Sequence, residues 1–479
     1  MTDSKTEYAD LLKMLNPKVH HLIDKSIAVE VKKARANTLL SQDRLDLIPK
    51  ILYALDKKNA RSNNWHTEGY LRHIQHLNGF VENDGSGKVG RDEFISTYDG
   101  IIESLKENHG FIKRPIVLSR GRLIDGAHRL AAAIAFDLEV PFIEVGDVGA
   151  VNLNSEALLY TGIPPDYVNY WISRYIRLRV NTRFAIVWPT AEGHDEKLET
   201  IFKNRCSIVT NINQNLTDLG KLNLVRFAYK TESWLGDAKD GYSGAKNKTA
   251  WCFGKSGPVR FFLLEGTPDW IELKNEVRTI FNVDKSSIHI NDTHEETIAL
   301  AELIFNKNGF RHLNHQVPQD FNWFTELKEA FEKWAKSAMQ DPLDYCLIGS
   351  GVLAAYGIRE PRDIDFICLD HCIKEGPVKE IDWHPSEDSW GHSSTEIIED
   401  PRLHFILDGL KYMTPELLIK QKMLRNEEKD RADVQALNAA LSGSPKPYRR
   451  PITLGSIKGV VKFHALRVRY YLRRIASSI

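Results

Sequence analysis

Cysteine is scarce in this chain of 479 residues, and the few cysteines are not spaced to cross-link it. Their number is odd, and no two have the C-x-x-C spacing of a zinc ribbon or a redox pair. This pattern excludes a disulfide scaffold and fits a reducing compartment. The cysteines are Cys206, Cys252, Cys346, Cys368 and Cys372.

The chain also lacks net charge and long apolar runs, and the pattern of its first residues leads us to expect no secretory signal. Sixty-four Lys and Arg balance sixty-four Asp and Glu, so we expect no chain-wide attraction to nucleic acid. No stretch approaches the roughly 18 uninterrupted apolar residues of a membrane span. Residues 1–17 carry acids where a secretory signal has a basic and then an apolar segment. These absences predict a cytoplasmic protein.

An apolar fraction of 42% and a charged fraction of 27% are ordinary for globular protein and exclude wholesale disorder. At roughly 150 residues per domain, the length predicts about three domains. Strand and helix patterns alternate, so we expect a multidomain protein of α/β and α+β class. The predicted parts are a helical region (1–60), a mixed domain (61–150), a linker helix (151–180), an α+β domain (181–315), an α/β domain (316–441) and a basic amphipathic tail (442–479).

The most specific pattern is LIGSGVLAAYGIREPRDIDFI, at residues 347–367. An apolar strand leads to Gly349 and Ser350 at a helix start, where backbone N–H groups and the helix dipole favour phosphate. Asp363 and Asp365 follow, and alternate residues of a strand share a face, so both carboxylates point the same way. Mg²⁺ relieves the repulsion of such a pair and also binds phosphate oxygens. Asp363 and Asp365 are therefore the predicted metal ligands.

This stretch resembles the signature of the nucleotidyltransferase superfamily, in which Gly-Ser, a short helix and an acid-apolar-acid strand follow one another. The resemblance covers roughly 100 residues and implies a nucleotidyltransferase fold. It also implies Mg²⁺ and a nucleoside triphosphate, expected to be ATP, with nucleotidyl or phosphoryl transfer catalysed at Asp363 and Asp365. The family takes a third carboxylate from a later strand. Asp408 is the best candidate by position, with Asp400 and Glu399 close by.

A basic stripe follows on the helix expected from Glu416. Lys422, Arg425, Lys429 and Asp433 are spaced at i, i+3, i+7 and i+11, which places them on one helix face. We predict that Lys422 and Lys429 bind the triphosphate. A solvated helix face explains the same spacing equally well.

A second motif, LIDGAHRLAAA, occupies residues 123–133. Gly126 permits a tight strand-to-helix turn, and His128 and Arg129 fall in the first helical turn. With the helix dipole, these residues form an anion cradle. Asp125 caps the helix or acts as a base or metal ligand.

The same motif resembles the ParB/sulfiredoxin superfamily, whose members place Asp-Gly-x-His-Arg at such a turn. Members include nuclease-like, nucleotide-binding partition, sulfiredoxin and free-serine kinase domains. The resemblance implies a ParB/sulfiredoxin-like domain that binds nucleotide or phosphate. No cysteine precedes Cys206, so sulfinic-acid repair is excluded. A purely structural helix cap is the alternative reading of the motif.

A third segment, residues 286–305, weakly resembles the end of nucleoside diphosphate kinases, where a strand-borne His is phosphorylated. His289 and Asp292 match that pattern, and Arg278 corresponds to a phosphate-binding Arg. However, Trp188 stands where the family has a Lys on the first strand. The resemblance therefore favours a ferredoxin-like structural or substrate-binding unit over catalysis by His289.

The remaining histidines, including His371 beside Cys372, show no ligand pattern. Cys368 and Cys372 do not have a zinc spacing unless two further ligands are present. The sequence therefore predicts no role for these residues.

The tail differs in charge from the rest of the chain. Residues 446–479 carry nine Lys and Arg and no acid, with apolar residues at roughly helical spacing. This pattern predicts a helix at an anionic membrane surface, and thus a cytoplasmic protein peripheral to the inner face of a membrane. A helix folded back on the protein is the alternative. Duplex DNA is less favoured, because the rest of the chain carries a compensating negative charge.

Two other functions fit the same sequence. One is a phosphosugar or phospho-alcohol transferase for surface glycan assembly. The other is a non-catalytic nucleotide-binding regulator whose basic tail touches DNA. Loss of all activity in Asp363→Ala would favour either enzyme over the regulator.

Overall fold

The computed structural model describes residues 8–23, 29–82, 87–107, 114–445, 448 and 468. The chain divides into two compact units, Met1–Val180 and Asn181–Ile479. Both contain helices and sheets, which confirms the expected mixed α/β multidomain class. Within the described ranges, no helix combines the length and hydropathy that crossing a bilayer requires.

The first unit contains a mixed sheet with the strand order β1-β4-β2-β3. Strand β2 runs parallel to β4, and the other neighbours are antiparallel. The strands are β1 (Lys32–Arg35), β2 (Ile116–Ser119), β3 (Arg122–Asp125) and β4 (Glu139–Val145). The α-helices are α1 (Tyr8–Met14), α2 (Leu47–Lys58), α3 (Asn64–Asn78), α4 (Arg91–Glu107), α5 (Ala127–Ala135), α6 (Ser155–Tyr160) and α7 (Pro165–Leu178), with 3-10 helices at Pro17–Leu22 and Ala36–Leu39.

The hairpin β2–β3 has the tight turn that the sequence predicts. Arg120 and Gly121 have φ angles of 48° and 71°, and two successive positive φ angles match the twist of hairpin strands. Strand β1, in contrast, lies in a region predicted to be helical. Its Lys and Arg side chains are largely exposed on an edge strand, so it has no apolar alternation for the sequence to reveal.

The second unit begins with an antiparallel sheet of strand order β6-β7-β5-β8. Helices α8 and α11 pack on it through an apolar core that includes Leu198, Phe202 and Val277. The strands are β5 (Thr182–Val187), β6 (Ser207–Gln214), β7 (Val259–Glu265) and β8 (Ile288–Ile290). The α-helices are α8 (Asp195–Arg205), α9 (Asp218–Ala228), α10 (Ser243–Cys252), α11 (Trp270–Phe281), α12 (His294–Ile304) and α13 (Lys307–His315), with 3-10 helices at Ser233–Leu235 and Asp284–Ser286.

A second sheet in this unit has the strand order β11-β10-β9-β13-β12. Strand β9 is parallel to β13 and antiparallel to β10, which in turn is parallel to β11. The strands are β9 (Tyr345–Ile348), β10 (Ile364–Cys368), β11 (Ile381–Trp383), β12 (His404–Leu407) and β13 (Leu410–Met413). The α-helices are α14 (Asn322–Ser337), α15 (Ser350–Ala355), α16 (Ser394–Glu399), α17 (Pro415–Arg425) and α18 (Glu428–Leu441), with 3-10 helices at Pro342–Asp344 and Asp388–Trp390.

Two predicted helices end earlier than expected. The capping box of Thr293 and Glu296 predicts a helix that closes near Asn308 and Gly309, but α12 ends at Ile304, because the Asn306 side chain accepts from backbone N–H groups of the next turn and caps α13. The helix predicted from Glu416 is wrong beyond Arg425, where Asn426 has a left-handed φ of 52°. The basic stripe is therefore divided between α17 and α18.

The start of α13 contacts the chain that enters β12, the edge strand of the second sheet. The Asn306 amide donates to the main-chain oxygen of Pro401 at 2.9 Å. The Asn308 amide donates to the oxygens of Arg402 at 3.0 Å and His404 at 3.2 Å. These bonds join the two sheets of the second unit. Most of the tail, residues 442–479, lies outside the described residues.

Candidate functional site

Strand β9 ends in a turn that only glycine fits. Gly349 has a φ of 58°, and a Cβ atom there would lie 2.9 Å from Oδ2 of Asp365. Ser350 begins α15, and its Oγ donates to the main-chain oxygen of Asp363 at 3.3 Å. Helix α15 has only six residues, so its dipole adds less than a long helix would. The turn therefore places Gly349 and Ser350 directly against the two predicted carboxylates.

Asp363 and Asp365 lie at this turn, and Asp382 lies beside Asp365 on the neighbouring strand. Asp363 precedes β10, and Asp365 lies on it. Asp382 on β11 is the direct register partner of Asp365, and side chains of aligned neighbouring strands share a face. Burial raises the pKa of Asp365 to about 6, and the charge of Asp363 adds to this increase. Burial likewise raises the pKa of Asp363. Asp363 and Asp365 are thus costly to ionise without a cation.

The donor set fits Mg²⁺. It consists of carboxylate oxygens from adjacent positions, and Mg²⁺ takes one or two carboxylates together with substrate phosphates. A bound divalent cation would also remove the repulsion that raises the pKa of Asp365. Asp363, Asp365 and Asp382 are the residues that would hold it.

Sequence reasoning missed Asp382 and proposed Asp408 in its place. Asp408 lies in the β12–β13 turn, with its nearest cation, Lys328, at 3.9 Å. Strand β13 runs parallel to β9, so this turn is at the end where β9 begins, and Gly349 is at the other end. Asp408 is therefore not brought to Asp365. The signal for Asp382 was present in the apolar-acid-apolar triplet 381–383.

The two other acids considered for the third position are not among the residues that line the site. Asp400 accepts from the Arg402 side chain at 2.6 Å, and Glu399 is the last residue of α16. Neither lies on a strand that pairs with Asp365, although both are near Asp408 in sequence. Closeness in sequence to a later strand therefore does not predict which acids lie beside Asp365.

A cavity of about 240 Å³ opens beside the carboxylates. Lys422 and Lys429, the predicted triphosphate-binding residues, both line it, but Lys422 is buried and donates to Asp430 at 2.9 Å and to Asp433 at 2.8 Å. Lys429 is exposed and pairs with Glu427 at 2.9 Å. Lys422 therefore braces α17 against α18, and Lys429 is the more accessible of the two cations.

A second brace holds the loop before Asp363. Arg359 donates to both carboxylate oxygens of Asp433, at 2.9 and 3.0 Å, and Tyr448 donates to the same group at 2.9 Å. Asp433 is completely buried, so the prediction of one solvated or phosphate-facing stripe is wrong for it. Nearby, Arg362 lines the cavity, and its Nη2 has no hydrogen-bond partner in the described part of the chain. Arg362 is a phosphate-binding candidate that sequence reasoning did not single out.

The first unit holds a larger cavity of about 1060 Å³, lined by all four predicted residues of the second motif. Gly126 has a φ of 100°, and a Cβ there would lie 2.8 Å from Ile116, so the turn requires glycine. The described lining carries six Lys and Arg against three Asp and Glu. The charged lining residues are Lys18, Arg44, Lys50, Lys88, Arg114, Arg129, Asp46, Glu82 and Asp125.

The motif's side chains already have partners in this unit. Arg129 donates to the main-chain oxygen of Arg114 at 2.8 Å and to Asp125 at 3.0 Å. Lys18 also pairs with Asp125, at 3.1 Å. His128 Nε2 lies 3.1 Å from the Tyr70 hydroxyl, and burial, with the nearby Lys50, holds the pKa of His128 well below its usual range. Arg129 and Asp125 thus fix the turn, and His128 is neutral at pH 7.

The third predicted segment places His289 on β8, 4.7 Å from the Tyr229 ring. Burial lowers the pKa of His289 to about 4, so its imidazole is neutral. Asp292 pairs with Lys274 at 2.7 Å, and Arg278 donates to Asn275 at 2.9 Å. Asp292 and Arg278, which match the kinase pattern together with His289, thus each pair with a residue other than His289.

Comparison of the chain with protein-family models, with curated proteins and with solved structures finds no match. The function proposed below is accordingly argued from the geometry of these residues.

Proposed function

We propose that the protein is a nucleotidyl- or phosphoryl-transferring enzyme that uses a nucleoside triphosphate, ATP in the simplest case, and Mg²⁺. The supporting observation is that Asp363 and Asp365 lie at the glycine turn at Gly349, with Asp382 beside Asp365 on the neighbouring strand. A nucleotidyltransferase fold for the surrounding domain is part of this proposal. With α9 and α10 inserted between β6 and β7, the β-α-β-β-α-β order of β5 to β8 supports a ferredoxin-like fold before it. The β3–α5 turn supports a ParB/sulfiredoxin-like fold in the first unit.

In the proposed reaction, an acceptor hydroxyl oxygen bonds to the α-phosphorus, the bond to the bridging oxygen breaks, and pyrophosphate leaves. Mg²⁺ supplies charge neutralisation and alignment of the phosphates. Arg362 and Lys429 bind phosphate oxygens from the cavity wall. Ser350 holds the main chain at Asp363 in position. Asp365 is ionised above about pH 6, so it binds cation best in that range.

The test is release of pyrophosphate from each of the four nucleoside triphosphates with Mg²⁺, using a fractionated extract as the acceptor source. We expect Asp365→Asn and Asp382→Asn to reduce turnover at least 100-fold. Asp408→Asn is the matched control, an acid of the same sheet at its other end, and is expected to retain activity. Unchanged turnover in Asp365→Asn would overturn the proposal.

The same assay separates the alternatives. Turnover that requires a phosphosugar or phospho-alcohol acceptor would identify the glycan-assembly enzyme. Binding of Mg²⁺ and nucleotide by the parent without any pyrophosphate release or phosphoryl transfer would instead identify a nucleotide-binding regulator.

We also propose that the cavity of the first unit binds a phosphate-bearing ligand. The excess of cations over carboxylates in its described lining supports this, because a polyanion would balance the wall charge. For the tail, the proposed partner is an anionic membrane on the cytoplasmic side. Co-sedimentation with anionic vesicles at low salt, lost at high salt and after truncation at Ser456, is the expected result. Binding that is absent, or unchanged by the truncation, would exclude the contact.

A further inference from the structure

The end of the second sheet that lies away from Asp365 brings together side chains with no shared sequence pattern. Asp344 closes the 3-10 helix before β9, and Cys368 ends β10. Tyr345 and Cys368 are register partners in this antiparallel pair, so the residues before β9 and after β10 meet. His371 and Cys372 lie in the turn that follows Cys368.

The donor atoms of this group are close together. Nε2 of His371 lies 3.1 Å from Oδ2 of Asp344. The ligand atoms of Asp344, His371 and Cys372 all lie within 4.8 Å of one another. The Cys368 side chain interacts with the Cys372 thiol but is outside this group of three. With zinc bonds of about 2.0–2.3 Å, the ligands of a tetrahedral ion are separated by about 3.3–3.8 Å, so small shifts of the three side chains, and a movement of Cys368 toward them, would complete the shell.

We propose that Asp344, Cys368, His371 and Cys372 form a binding site for Zn²⁺. Two thiolates, an imidazole and a carboxylate form a set that suits zinc and does not suit Mg²⁺ or Ca²⁺, which take oxygen ligands. The proposal is independent of the proposed transferase function.

Burial and access agree with a structural ion. Asp344, Cys368 and Cys372 are buried, while the His371 side chain is 47% exposed and leaves one side of the cluster open to solvent. Zinc binding would displace both thiol protons into solvent. The ion would hold the start of β9 against the end of β10. The other ends of these two strands carry Gly349 and Asp365.

The experiment measures zinc in the purified full chain after incubation with Zn²⁺ and removal of excess, under reducing conditions. We expect one zinc per chain, tetrahedral thiolate bands with Co²⁺ in its place, and a lower melting temperature after chelation. Cys372→Ser and His371→Ala should each reduce zinc affinity at least tenfold. Cys206→Ser, a thiol in the other sheet's domain, is the matched control and should bind as the parent does.

His371→Ala keeps the test decisive if a buried cysteine variant fails to fold, because His371 is partly exposed. Equal zinc content in parent and His371→Ala would overturn the proposal. A parent that binds no zinc, or that forms a Cys368–Cys372 disulfide without taking up metal, would overturn it as well. A zinc-site variant that loses zinc but keeps Mg²⁺-dependent nucleotide binding would support the zinc proposal, and that result would not bear on the transferase proposal.

Discussion

Replacing Asp365 by Asn should stabilise the second unit at neutral pH when no metal is present. Burial and Asp363 raise the pKa of Asp365 to about 6, roughly two units above the ordinary value of about 3.9. Each unit corresponds to about 1.4 kcal/mol, and partial solvent exposure and relaxation lower the sum to about 2 kcal/mol. Asn has the same shape and carries no charge, so it removes this cost.

The pH dependence has a definite sign. Because its pKa is raised in the folded state, Asp365 contributes stability that is fully present below about pH 4 and lost as the pH rises through 6. The parent and Asp365→Asn should therefore be similar near pH 4 and differ most above pH 7. Added Mg²⁺ should stabilise the parent at pH 7.5 and leave the variant nearly unchanged.

Amide hydrogen exchange of peptides covering β9 and β10 measures this locally in the full chain. At pH 7.5 with EDTA, we expect exchange in Asp365→Asn to be slower by about 30-fold, the equivalent of about 2 kcal/mol. Asp408→Asn changes an acid at the opposite end of the sheet, so its amide exchange should equal that of the parent both near pH 4 and at pH 7.5. Exchange in Asp365→Asn that equals or exceeds that of the parent at pH 7.5 would refute the reasoning.

Substitutions at three further positions test the turn at Gly349, the ion pair of Arg359 with Asp433 and the cavity of the first unit. Gly349→Ala should abolish the thermal shift given by Mg²⁺ and nucleotide, because its Cβ would meet Asp365 at 2.9 Å; a full shift would contradict this. Arg359→Ala should lower the unfolding free energy by about 1.5–3 kcal/mol in urea, since Asp433 loses its charged bidentate donor and keeps Lys422 and Tyr448, and Arg359→Lys should recover part of the loss. Arg129→Ala should weaken nucleoside triphosphate binding to the first unit by about 1.5–3 kcal/mol in calorimetry, and equal affinities would exclude that cavity.

Local patterns predicted the strands beside each motif, because short apolar runs bounded by turn residues are visible in sequence. The apolar runs 345–349, 365–369 and 404–408 predict strands, and the structure has strands at 345–348, 364–368 and 404–407. The same reasoning missed β11, which has three residues, one of them the exposed Asp382. A strand this short is defined by its hydrogen bonds to β10, and those are not encoded in local periodicity.

The sequence also does not predict at which end of a sheet a residue lies. Asp408 and Asp365 both border apolar strands, but the directions of β13 and β10 carry them to opposite ends. The same pairing joins Asp344 to His371 and Cys372 across distant positions, so no spacing rule could have grouped them. Residues close in the chain, such as Gly126 to Arg129, line one cavity because a single turn fixes them.

The amides of Asn306 and Asn308 have a practical consequence for how the protein can be divided. Strand β12 is the last in its sheet, and an uncovered edge strand is a template for pairing with another molecule. A fragment cut at residue 316, where the sequence suggests a boundary, would leave the main-chain oxygens of Pro401 and Arg402 without these donors. Such a fragment should self-associate through β12, whereas one that begins before Asn306 should remain monomeric in solution at the same concentration.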